Sequence, residues 1–210
     1  KKRYGQWIIN DAGVTCDKLD VKGLDIVRSN FPKAMRELMT GVLKDILGNV
    51  DKGTIDKNII EFKNKMKDTS IEDIALPTGV KGISKFTDKS RSRFGSKSML
   101  TSVKKGTPVH VKSAILYNDM LKYYKIDGQF DKIKNSEKIK WVYLKQNPLN
   151  LETLAFKGYE DPPEIMDYIS KYIDYDKLFE SALEKKIKMF YISLDWDLPV
   201  DERYSIERFF

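Results

Sequence analysis

The sequence predicts an α+β fold: a small antiparallel β segment first, then a mainly helical part with a few short strands. Three observations carry this. Two extended runs, residues 5–10 and roughly 18–27, flank the turn residues Asn10-Asp11-Ala12-Gly13. Phe31, Ala34, Met35, Leu38, Met39, Val42, Leu43, Ile46 and Leu47 then recur at three- and four-residue steps, the apolar stripe of one helix. Farther on, Lys138 to Leu144 and Thr153 to Phe156 read as strands set among helical runs.

Taken in order, Ser29-Asn30-Phe31-Pro32 looks like the start of the first helix, with a polar cap and a proline suited to the first turn. Gly48-Asn49 ends it. Thr54 is the expected cap of a second helix carrying Ile55, Ile59, Ile60, Phe62 and Met66. Pro77-Thr78-Gly79 is expected to break the chain, and Gly82 to Ser102, rich in Ser, Gly, Lys and Arg, to form an exposed loop. Pro108 opens a third helix bearing Val109, Ala114, Ile115, Leu116, Met120 and Leu121. Asp161-Pro162-Pro163 starts a fourth, and a last helix carries Tyr175, Leu178, Phe179, Ala182, Leu183, Ile187 and Phe190.

The chain has 210 residues, 41% hydrophobic and 33% charged, enough to bury a core under a heavily charged surface. No apolar run approaches the roughly 20 residues needed to span a bilayer, so no membrane partner is expected. One cysteine, Cys16, excludes an internal disulfide and agrees with a reducing cytoplasm. The net charge of +7 points to an acidic partner, and its distribution sharpens the point. From Lys81 to Lys112, Asp88 is the only acid among nine lysines and arginines, whereas acids outnumber bases from Leu151 onward.

Sites for chemistry are absent from this pattern. Asp68-Thr69-Ser70 lacks the second carboxylate that a two-metal phosphoryl-transfer site requires. Asp195-Trp196-Asp197 reads as a solvated acidic pair, and His110 as a half-buried helix histidine. There is no phosphate-binding glycine loop, dinucleotide fingerprint or serine-nucleophile elbow. Hence no catalytic residue, metal site or cofactor is expected in this chain.

Lys1-Lys2-Arg3-Tyr4, a strand, a turn, and then Lys22-Gly23-Leu24-Asp25-Ile26-Val27-Arg28-Ser29 resemble the end of the palm in family B DNA polymerases. There a lysine-lysine-x-tyrosine element precedes a glycine-leucine-acid-x-x-arginine stretch leading into the thumb. Thr107-Pro108-Val109-His110-Val111-Lys112 and Glu137-Lys138-Ile139-Lys140-Trp141-Val142-Tyr143-Leu144 resemble thumb segments of the replicative polymerases of tailed phages. Tyr204-Ser205-Ile206-Glu207-Arg208-Phe209-Phe210 resembles their terminal peptide, which docks on the sliding clamp.

The resemblance implies residues 1–30 as the end of the palm, 31–200 as the thumb and 201–210 as a clamp-binding tail. It implies that Lys1, Lys2, Arg3 and Tyr4 lie along primer-template duplex DNA, and that Arg28 contacts the primer backbone. The alternative reading of Arg28 is an ordinary salt bridge at a helix entrance. A Lys or Arg in the minor groove meets acceptors present in every correct pair, and so senses geometry without reading sequence. Lys81 and Lys85, flanked by Gly79 and Gly82, are candidate phosphate contacts, as are Lys104, Lys105, Lys112, Lys185 and Lys186. Singly, each lysine is as well explained by solvation; the cluster carries the expectation. Ile206, Phe209 and Phe210 are the expected clamp anchors, with packing back onto the thumb as the alternative.

The function implied is to grip duplex DNA and tether a polymerase to its clamp in DNA replication, in a phage-infected host cell. Because the sequence opens on Lys1 rather than Met, it reads as the back part of a longer protein. The remaining palm, fingers and exonuclease would be its partners. The parent's Mg²⁺ and catalytic aspartates would lie upstream, so the chain is expected to be inactive alone. Two rivals stay open: a self-standing nucleic-acid-binding accessory protein, and the small subunit of a split polymerase.

Overall fold

A computed structural model describes residues 2–87 and 103–199. The fold is α+β, with a two-stranded and a three-stranded antiparallel sheet among helices. It divides into two compact units. The described residues up to Ile74 and from Phe179 onward form the first, and Ala75–Leu178 span the second.

In the first unit, β1 (Tyr4–Asp11) and β2 (Val14–Lys22) make an antiparallel ribbon. Ala12 and Gly13 both take positive φ, 50° and 90°, the two-residue loop whose twist matches a hairpin. The ribbon lies against α1 (Lys33–Leu47): a Cβ at Gly5 would fall 2.8 Å from a Leu43 methyl carbon. Asp17 fixes the other end, accepting from Trp7 Nε1 at 2.7 Å and from Lys44 Nζ at 2.9 Å. Helix α2 (Lys52–Lys65) and the short α3 (Ile71–Ile74) complete this part. Met35, Met39, Ile55, Ile59, Met66 and Ile74 are its buried centre. The periodic methionines are core, as their spacing predicts.

Several local expectations are corrected. The second strand stops at Lys22, because Gly23 turns the chain at φ +75° and Asp25–Val27 form a 3₁₀ turn. No side chain caps α1; Pro32 occupies the cap position, and Arg36 Nη2 donates to the carbonyls of Arg28 and Phe31 instead. The cap of α2 is Asp51, not Thr54: the Asp51 carboxylate accepts from the Thr54 amide at 2.9 Å and the Thr54 hydroxyl at 2.6 Å.

The second unit holds β3 (Leu76–Gly79), β4 (Lys138–Tyr143) and β5 (Thr153–Phe156) in the order β3-β4-β5. The expected break at Pro77 is therefore a strand. An edge strand tolerates proline, because one side of it needs no ladder donor. Helix α5 (Val109–Tyr123) packs on β5 and is buried along most of its length, although Val109 in its first turn is exposed. Helix α4 (Ile83–Phe86) contacts α5, α6 (Pro163–Tyr172) contacts β5, and α7 (Tyr175–Phe179) follows α6 in the chain. The buried Asn147 amide is fully partnered: it accepts from the Leu151 amide and the Tyr168 hydroxyl, and donates to the Lys145 and Leu151 carbonyls. A π turn at Glu180–Glu184 precedes α8 (Lys185–Ser193) of the first unit. Its wider turn advances the register, and so decides which face of α8 carries Lys186, Met189 and Phe190.

Candidate functional site

The expected cations fall into two groups, one in each unit. In the first, the chain leaves β2 at Gly23, where a Cβ would stand 2.4 Å from the Lys2 carbonyl oxygen. Only glycine lets the Lys2-Arg3 backbone run this close to the turn. Arg3, Arg28 and Lys186, far apart in sequence, thereby line one cleft of about 230 Å³. Leu24, Ile26, Phe31, Met39, Met189 and Phe190 supply its apolar lining. Lys2, Arg3 and Lys185 are exposed, and Met189 is 45% exposed at the rim.

Asp25 sits among these cations. Its Oδ1 accepts from Arg28 Nη1 at 2.9 Å, and its Oδ2 pairs with Lys186 Nζ. Arg28 thus does form the salt bridge that was its alternative reading, while its side chain stays 58% exposed. Among the described residues Arg3 has no ion-pair partner. Tyr4 lies on the ribbon and donates its hydroxyl to Asp20 Oδ2 at 3.1 Å; that bond raises the phenol's pKa above its ordinary value. Lys1 lies outside the described residues.

In the second unit, Thr87 and Val103 bridge in antiparallel fashion. The bridge brings Lys104 to Lys85, whose carbonyl accepts from Lys104 Nζ at 2.8 Å. Lys81, Lys85, Lys104 and Lys105 are all exposed there, and Gly82 turns the chain at φ +84°. Lys112 is set apart from this group. It bonds Glu152 Oε2 at 2.6 Å, holding that carboxyl below its usual range through the hydrogen bond and then the charge. A base of the basic stretch is therefore neutralised by an acid of the acidic one.

No group of three or more His, Cys, Asp or Glu side chains able to hold a metal occurs among the described residues. Asp195 ends α8 in a left-handed turn at φ 57°. His110 is half-buried, and burial lowers its pKa, which favours the neutral ring. None of the described helices is long and apolar enough to cross a membrane. Ile206, Phe209 and Phe210 lie outside the described residues.

Sequence reasoning missed two parts of the first cleft. Asp25 was visible in the motif, but its role as joint partner of Arg28 and Lys186 required the fold. Met189 and Phe190 were available from spacing, since they stand three and four residues beyond Lys186 on the same helix face. Compared with known proteins, the chain matches no family model and no curated protein.

Proposed function

We propose that the chain grips double-stranded DNA by its backbone, as the end of the palm and the thumb of a family B DNA polymerase. The supporting observation is the cleft that gathers Arg3, Arg28 and Lys186 from three distant parts of the sequence. Guanidinium and ammonium groups at such an opening suit phosphate oxygens, and the neighbouring Lys2 and Lys185 extend the positive field. Lys81, Lys85, Lys104 and Lys105 supply a second set of contacts. Backbone contacts position a duplex without reading it, so the affinity is independent of sequence.

Nucleotidyl transfer and its Mg²⁺ belong, on this reading, to palm residues outside this chain. The tail with Ile206, Phe209 and Phe210 tethers the whole to a sliding clamp. The test is fluorescence anisotropy on primer-template duplexes of two unrelated sequences. Affinities that agree within a few-fold, both weakened by Arg3→Gln, are the expected result. Strong preference for one sequence, or no duplex binding at low salt, overturns the reading.

A further inference from the structure

We infer that Asp25 is a built-in stand-in for a backbone phosphate, masking two of the cations that duplex DNA must recruit. The inference rests on the DNA-gripping reading above and adds a control element to it. A carboxylate and a phosphodiester present paired anionic oxygens to the same donors. At Asp25 one oxygen takes Arg28 Nη1 at 2.9 Å and the other takes the Lys186 ammonium. Both cations line the same cleft as Arg3, which has no such partner among the described residues.

The exposures fit a mask that can be displaced. The Arg28 side chain is 58% and the Lys186 side chain 34% exposed, whereas Asp25 is 21% exposed. Both donors are therefore more exposed than the acid they share. The Arg28 guanidinium is exposed enough for salt to screen its pair and for an arriving phosphate to exchange with it, whereas the Lys186 pair is half-buried and exchanges second. Position matters as much as charge. The left-handed turn at Gly23 and the 3₁₀ turn at Asp25–Val27 hold the carboxylate where the approach of α8 brings Lys186. Among the described residues the cleft then offers Arg3 as its unpaired cation. Arg28 and Lys186 become available only when a phosphate outcompetes Asp25.

The experiment compares the wild type, Asp25→Asn and Asp25→Glu on one duplex over a salt titration, with circular dichroism as the folding control. Asp25→Asn is expected to bind about tenfold more tightly near 0.1 M salt, with a log–log salt slope steeper by about 1 to 2. Asp25→Glu keeps the mask and should stay near the wild type. In a Lys186→Gln background the gain from Asp25→Asn should shrink, because one of the two released cations is gone. Should Asn disturb the turn, Asp25→Ser repeats the comparison. Wild-type binding with an equal or weaker Asp25→Asn affinity overturns the mask, because Asp25 would then be positioning its cations. No wild-type binding overturns the DNA reading itself.

Discussion

The clefts of the two units have opposite chemistry. In the first, Arg3, Arg28 and Lys186 face an apolar wall with Asp25 as their acid. In the second, an opening of about 490 Å³ is lined by Asp127, Asp131 and Glu160, with Lys157 the one cation among its described residues and Tyr117 and Tyr159 beside them. Lys157 is itself engaged, 3.8 Å from Glu137 and over the Tyr159 ring. A polyanion is therefore attracted to one opening and repelled by the other. Net charge along the sequence shows neither, because the residues of each cleft are scattered along it.

The largest expected effects break this comparison through the cores. Ile59→Ala in the first unit and Leu116→Ala in the second each remove a fully buried side chain. Each should cost about 2–5 kcal/mol, read by urea unfolding. A substitution that leaves urea unfolding unchanged would show that its side chain is not part of its own unit's core.

Next comes charge. Reversing Arg3 and Arg28 to Glu together should weaken duplex binding on the order of 100-fold at low salt, through lost phosphate contacts and new repulsion. Asp131→Asn with Glu160→Gln in the other cleft should change it less than about threefold, by easing long-range repulsion. Equal effects from both pairs would mean that total charge, and not the cleft, governs binding.

A smaller effect tests the backbone. Gly23→Ala places a Cβ against the Lys2 carbonyl in a left-handed turn. It should cost about 1–3 kcal/mol and weaken DNA binding by displacing Arg3. Normal stability and affinity would show that the turn is not what positions Arg3.

The smallest concerns Lys112. Glu152 titrates below its unfolded range when folded, so its pairing stabilises the unit above that range and is lost as pH falls through the lowered folded value. Lys112→Gln should remove this acid-side dependence in a melting-temperature profile while changing duplex affinity little. A large affinity loss would show that Lys112 exchanges Glu152 for DNA, as the sequence resemblance implies.

Much of the fold was legible because burial follows simple periods. The α1 stripe, β4 and β5 were marked by their own apolar pattern, and the Ala12-Gly13 turn by its residues. The strand at Pro77 was not legible, because whether proline is tolerated depends on lying at a sheet edge. The cap of α2 was misplaced by three residues, since Asp51 and Thr54 are both good caps and only the geometry chooses. Within the candidate site, the residue types at Arg3, Arg28 and Lys186 could be singled out one by one. Their meeting depends on the Gly23 turn and on the register that the π turn sets for α8, which no local pattern specifies. The capture of Lys112 by Glu152 escaped for the same reason.

The measurement that tests the central claim most directly is the salt dependence of duplex affinity for the wild type and for Arg3→Gln with Lys186→Gln. A wild-type log–log slope of several units, the same for two unrelated sequences and reduced by about 1 to 2 in the double variant, is the predicted result. A slope near zero, or one the double variant leaves untouched, would contradict it.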